Sequence, residues 1–168
     1  LLALAWACGG AETTEFPAGL EPLEASTAPA PGAEVDTYPE ELVTLRGQRG
    51  GTYWAHGRGF VRAPLAAVWL GIRDPAASVD RRAVARWSVT EDVEPQYPHS
   101  YRVRNEVDDI VTVEFDVTWR HGAVEGTDTE PDVTASRWKK TWGTTFISLL
   151  EGSVVARQAA SDVTELEL

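Results

Sequence analysis

The stretch IVTVEFDVTWR, residues 110 to 120, decides the fold class. Val111, Val113, Phe115, Val117 and Trp119 fall on one side of an extended chain, and Thr112, Glu114, Asp116, Thr118 and Arg120 on the other. Strict alternation of this kind marks a strand with one face covered and one face wet, which places it in an antiparallel sheet. Its neighbours repeat the pattern. Ala85, Trp87 and Val89 alternate with Arg86 and Ser88, and Tyr101, Val103 and Val107 with Arg102, Arg104 and Glu106. Downstream, VTASRWKKTWGTTFISLL (133–150) reads as one long strand with Trp138, Trp142 and Phe146 on a shared face and Gly143 supplying a bend. Glu151-Gly152 marks a hairpin into SVVARQAA, and Ser161-Asp162 another into VTELEL.

Ahead of these strands the period changes. GTYWAHGRGFVRAP (51–64) reads as a strand stopped by Pro64; Leu65, Val68, Trp69 and Ile72 then recur at the spacing of one helix face. Asp74-Pro75 breaks that helix, and AASVDRR permits one more short helical piece. The order is thus strand, helix, short helix and six strands.

At Ala63-Pro64 and Val68-Trp69 the chain resembles the opening of SRPBCC proteins, the superfamily of START domains, polyketide cyclases and coenzyme Q-binding proteins; WKKTWGTTFISLLEGSVVARQAASDVTELEL looks like their last three strands. The resemblance spans roughly residues 50 to 168. It implies an α+β helix-grip fold: a curved antiparallel sheet of about seven strands, two short helices after the first, and a long C-terminal helix in the grip of the sheet. No sequence for that helix follows Leu168, so a truncated fragment is expected. Between sheet and helix such proteins hold hydrophobic ligands such as lipids, sterols, quinones or polyketides, which implies a cavity lined here by Trp69, Trp87, Tyr101, Phe115, Trp119, Trp138, Trp142 and Phe146. Asn105, Lys140 and Thr144 stand on or near that face as polar anchors. An inward Lys140 would need a ligand anion or an internal acid, or would reach solvent along a twisted strand.

The first residues tell a different story. LLALAWACGG is apolar up to Cys8, and no Lys or Arg occurs before Arg46. Leu4-Ala5-Trp6-Ala7-Cys8 resembles the lipobox of bacterial lipoproteins, in which the cysteine carries the lipid, while Ala5-Trp6-Ala7 also suits ordinary signal cleavage. The apolar run is far shorter than the ~20 residues of a membrane span. Residues 9 to 46 mix Ala, Pro, Gly, Thr and Glu without a sustained period and read as an acidic linker. The expected organisation is a signal remnant (1–8), the linker (9–46) and one domain (47–168).

Charge follows that division. The 168-residue chain carries a formal net charge of -11; residues 1 to 41 hold eight acids and no base, which leaves -3 for the rest. That excludes the cationic footprint of nucleic-acid binding. A single cysteine excludes an internal disulfide and a thiolate metal site.

Enzyme motifs are equally absent. His56, His99 and His121 show no metal-ligand spacing, and Gly57-Arg58-Gly59 has Arg62 where a dinucleotide fingerprint needs its third glycine. Asp128, Glu130 and Asp132 lack the glycine and distal glutamate of a calcium loop and read as a solvated turn. No metal and no cofactor is expected. The expectation is a monomeric, non-enzymatic lipoprotein, anchored through Cys8 in the bacterial cell envelope facing the periplasm, that carries a hydrophobic small molecule. The alternatives are a soluble exported form, a cyclase- or hydrolase-type enzyme using Lys140 or His56, and an envelope interaction module with a filled core.

Overall fold

The computed structural model describes residues 37–168 apart from position 109. Cys8, the signal remnant and most of the acidic linker therefore lie outside the described residues. Eight strands form one antiparallel sheet: β1 (Val43–Arg49), β2 (Thr52–Val61), β3 (Arg86–Glu91), β4 (His99–Asp108), β5 (Thr112–Gly126), β6 (Pro131–Gly143), β7 (Glu151–Ala160) and β8 (Val163–Glu167). Their spatial order is β1-β2-β8-β7-β6-β5-β4-β3. Strands β3 to β8 form a meander, and β8 returns to lie beside β2.

Two short helices, α1 (Leu65–Ile72) and α2 (Pro75–Ser78), join β2 to β3. Strand β2 ends at Val61, where the Ala63 N–H turns back to the Val61 carbonyl at 2.8 Å, and Pro64, still extended, is the residue that opens α1. The helix start is tied down by the sheet: the Leu65 N–H donates to Gln158 Oε1 at 2.9 Å, and Thr164 Oγ1 donates to the Ala63 carbonyl at 2.8 Å. Asp74 caps α2 by accepting the Ala76 N–H at 2.8 Å, with Pro75 in the first turn. Helix α1 presses Leu65 and Trp69 onto β6, β7 and β8, where both are buried.

The helix-grip expectation is thereby corrected. The architecture is a single eight-stranded antiparallel sheet carrying two helices of eight and four residues, and no long helix lies along the sheet among the described residues. The sheet also has one strand more than expected. Strand β1 begins at Val43, inside the stretch assigned to the linker, and pairs with β2 from Val43↔Arg58 to Arg49↔Thr52. Its sequence, VTLRGQR, is too polar to show a covered face, because an edge strand on a wet ribbon has none to show.

Two smaller readings also change. Glu151 and Gly152 lie within β7, while residues 144–150 form the β6–β7 loop. The long strand therefore stops at Gly143, whose φ of 130° only glycine adopts readily and which leaves no room for a Cβ beside Glu114 and Phe115. The bend comes two residues before it. Asp116 pairs with Trp142 but Val117 pairs with Lys140, so Thr141 is the unpaired residue of a bulge.

Side chains alternate along β5 and give the sheet two unlike faces, but the expected wet side is corrected: Asp116 and Thr118 on it are as buried as Phe115 and Val117. The face opposite the helices is a lattice of cross-strand ion pairs: Arg86–Glu106, Arg104–Asp116, Lys139–Glu151 at 4.0 Å, Arg157–Glu167 at 3.1 Å and Arg58–Glu165. Each exposed pair contributes ~0–1 kcal/mol. Their main effect is to fix the register, since slipping by one residue would put charges under the helices; the middle of this face is itself covered, because Asp116, Thr118, Ala135, Arg137, Ser153 and Val155 are buried there.

Candidate functional site

The helix-bearing face is aromatic. Registers Tyr101↔Trp119, Trp119↔Trp138 and Trp138↔Gly152 set one residue from each of β4, β5, β6 and β7 in a row. Tyr101 stacks on Trp119 at 6.0 Å between ring centroids, and Trp119 on Trp138 at 4.8 Å. Gly152 completes the row: a Cβ there would run into the Trp138 ring, so its absence lets the indole lie flat over β7. Tyr101 is buried, whereas Trp119 and Trp138 are only half-buried. The row is a shelf with one closed and one open end.

The closed end is a polar cluster. His99 and His121 are register partners on β4 and β5. His121 is fully buried, stacked on Trp119 at 5.9 Å and met edge-on by Trp69 at 6.1 Å. Its Nδ1 is hydrogen-bonded to Ser136 Oγ at 2.7 Å, and Nε2 has no partner. Burial, and after it the neighbouring His99 and Arg73 charges, push the His121 pKa down to about 3. The ring is therefore neutral at physiological pH. Burial likewise raises the Tyr101 pKa to about 12 against the pull of its hydrogen bond to Ser78 Oγ at 3.3 Å, so Tyr101 stays protonated and can donate.

Around these rings sits a second group. His99 Nε2 is 2.9 Å from Asp128 Oδ2, and Arg73 Nη1 donates to the same oxygen at 3.5 Å while also touching Nε2. The Arg73 guanidinium lies over Trp69 at 4.9 Å. Burial opposes ionisation of Asp128, but the His99 hydrogen bond and the His99 and Arg73 charges outweigh it and hold its pKa below the ordinary carboxylate value. The Trp69 N–H adds a weaker pull without reaching hydrogen-bond geometry. An open cleft of about 370 Å³, lined by Leu70, Arg73, Pro75, Glu91, Asp92, His99 and Tyr101 among others, leads to this cluster. A neutral imidazole, a protonated phenol and a histidine–carboxylate pair could orient a polar group of a ligand. No group of three or more metal-ligating side chains is present among the described residues.

The structure gathers part of the expected set. Trp69, Tyr101, Trp119 and Trp138 belong to the shelf and its closed end. Phe115 and Asn105 are register partners farther along the same face and are buried; the Asn105 amide donates to the Val103 carbonyl at 3.2 Å, which spends it internally. Trp87 stands on the edge strand opposite Asn105, exposed.

Lys140 does face inward, but its ammonium donates to the carbonyls of Thr144, at 2.7 Å, and Ile147, so it secures the β6–β7 loop and meets no acid. Thr144 lies in that loop with a buried, unpartnered hydroxyl. Trp142 and Phe146 leave the set. The bulge at Thr141 turns Trp142 to the ion-paired face, where Arg104 lies over its ring at 4.2 Å, and Phe146 projects from the loop, 73% exposed. His56 is also on the ion-paired side, 3.3 Å from Glu167.

His99, His121, Arg73 and Asp128 were missed as a cluster. One signal was available: a hairpin turning near Ile110 places position 99 opposite position 121. Nothing local announced that the 127–130 turn would bring Asp128 to them. No family model, no curated protein and no solved structure matches the chain.

Proposed function

We propose that this protein is a non-enzymatic binder of a hydrophobic, ring-containing small molecule, held on the helix-bearing sheet face and presented at the bacterial cell envelope. The observation that carries this reading is the stack Tyr101–Trp119–Trp138 over Gly152, closed at one end by Trp69 and His121 and only half covered at the other. Stacked indoles offer area and flat faces at little cost in side-chain entropy. A planar ligand continues the stack where Trp138 is open. The reading does not need a gripped helix. Burial of ~300 Å² of apolar ligand surface at about 25 cal/mol per Å² contributes roughly 7 kcal/mol, from which the cost of immobilising the ligand is subtracted.

Isothermal titration tests it with three probes: a short-tailed naphthoquinone, a planar anthraquinone and palmitate. At least one ring-containing probe is expected to bind with Kd below about 10 µM. Trp138→Ala should weaken it at least about tenfold through loss of the stacking area, and Gly152→Val should do the same by lifting the indole off β7. No heat with either ring probe, or unchanged affinity in both variants, removes the proposal.

Envelope placement rests on the lipobox-like Leu4–Cys8 stretch. The prediction is that the protein made in a bacterial host partitions into the detergent phase and that Cys8→Ala moves it to the aqueous phase. A wild-type protein already in the aqueous phase would favour simple export.

A second reading is favoured by one observation, the His99–Asp128 pair at the mouth of a cleft. Such a pair can relay a proton in an enzyme of the cyclase type. Turnover of a bound ring compound that His99→Gln abolishes, with binding retained, would support it over the carrier.

A further inference from the structure

The turns at the two ends of the sheet differ in chemistry. At the end where α1 and α2 sit, the connections carry acids: Glu91, Asp92 and Glu94 around the β3–β4 loop, Asp128 and Glu130 in the β5–β6 turn, and Asp162 in the β7–β8 turn. At the opposite end the three hairpin connections expose apolar side chains, while the α2–β3 segment that arrives there exposes Asp80, Arg81 and Arg82. The β1–β2 hairpin presents Tyr53, 80% exposed, beside Trp54; the β4–β5 turn presents Ile110, 96% exposed, beside Val111; and the β6–β7 loop presents Phe146 with Leu150.

These residues do not belong to a core that failed to close. They stand at the tips of three separate turns, where side chains are usually polar, and polar neighbours such as Gln48, Asp108, Thr112, Thr145 and Ser148 are exposed between them. Isolated projections of this kind find complementary pits on a rigid protein only if all three match. A fluid interface accepts them in any spacing.

The first hairpin adds a charge. Trp54 packs against Gly47, whose missing Cβ leaves room for the indole. Arg46, Gln48, Tyr53 and Trp54 line an open cleft of about 580 Å³. Arg46 is exposed and forms no ion pair among the described residues, in contrast to the arginines Arg58, Arg86, Arg104 and Arg157 of the ion-paired face. An uncompensated guanidinium flanked by Tyr and Trp suits a lipid phosphate at the depth where aromatic side chains settle in a bilayer interface.

We infer that the β1–β2, β4–β5 and β6–β7 turns form a lipid-docking end, which dips Tyr53, Trp54, Ile110, Val111 and Phe146 into the headgroup–acyl boundary of a phospholipid bilayer with Arg46 on a phosphate. The acidic turns at the other end then face away from the membrane. Docking is shallow and reversible, driven mainly by burial of a few side chains. It needs neither the small-molecule site nor lipid at Cys8.

The test uses the full chain with Cys8→Ala, so that no acyl chain contributes, and unilamellar vesicles of phosphatidylcholine alone or mixed with phosphatidylglycerol. The protein is expected to float with both kinds of vesicle and to remain bound in 0.5 M salt, roughly as burial-driven association requires. The triple variant Tyr53→Ser, Ile110→Ser, Phe146→Ser should lose partitioning at least about tenfold while keeping the wild-type melting curve, since all three side chains are exposed. Val124→Ser, exposed near the acidic β5–β6 turn, is the control and should bind as wild type.

Flotation of the triple variant at the wild-type level, or failure of the Cys8→Ala protein to float with either vesicle, overturns the inference. So does a wild-type dimer that the triple variant converts to monomer without any vesicle binding, because the end would then be an interface for a second copy. Ligand titration in the absence of vesicles is unaffected by any of these results, so the two proposals fail separately.

Discussion

Trp69→Ala is expected to lower the unfolding free energy by about 3–5 kcal/mol, the range seen when a fully buried aromatic is truncated and the cavity relaxes only in part. Trp69 is 1% exposed and is the main side chain that α1 inserts between its own backbone and the sheet. Its ring meets His121 and His99 edge-on, at 6.1 and 6.5 Å, and supports the Arg73 guanidinium. Truncation therefore removes packing from three groups at once and opens a void beside His121.

Helix α1 has eight residues, too few to be stable without tertiary packing, so it should fray as well. Urea unfolding followed by far-UV circular dichroism gives the number directly. Trp87→Ala, on the exposed edge strand, is the comparison and should cost less than about 1 kcal/mol. A Trp69→Ala cost below about 1.5 kcal/mol would mean that α1 is not docked on the sheet as described.

The second large effect is on acid stability and comes from His121. Its pKa falls from 6.5 to about 3 in the folded chain because the ring is desolvated. The unfolded chain takes up a proton there below pH 6.5 and the native chain does not, so the unfolded state binds more protons and stability declines as pH falls. The contribution is fully present above pH 6.5 and is withdrawn between pH 6.5 and about 3. The slope approaches 1.36 kcal/mol per pH unit, roughly 2 kcal/mol between pH 6.5 and 5 and about 4–5 over the whole window.

Asp128 acts in a separate range. Its depressed pKa stabilises the fold above the unfolded carboxylate value and loses that contribution only below it. Unfolding free energies measured from pH 7.5 to 5 should therefore fall steeply in wild type and be flatter by about 2 kcal/mol in His121→Gln, which cannot titrate. Parallel curves for the two proteins would show that His121 is not held neutral.

Sequence and structure agree where the local pattern is governed by burial of one face. The side-chain direction along β5, the α1 face of Leu65 and Trp69 and the Ser161-Asp162 turn are as read, while β2 ends at Val61, three residues before Pro64. They part where pairing sets the outcome. Counting by two along 133–150 put Trp138, Trp142 and Phe146 together, but the bulge at Thr141 reverses the parity for Trp142, and Gly143 ends the strand before Phe146. A bulge is a property of two strands, and only the register of β5 against β6 reveals it. The helix-grip architecture is what the resemblance at Ala63-Pro64 and Val68-Trp69, together with element order, implies, and neither specifies which helices cover a sheet or whether polar residues 43–49 add a strand to its edge.

By itself, then, the sequence determined an antiparallel sheet with one aromatic and one charged face and a helical crossover opened by Pro64, because side-chain direction and backbone propensity are decided residue by residue. Only the tertiary structure decided which aromatics stack, that His99, His121, Arg73 and Asp128 converge on Trp69, and that the apolar turns share one end of the sheet. Those depend on register, bulges and strand order, which are fixed by contacts between segments more than a hundred residues apart, such as Thr164 with Ala63.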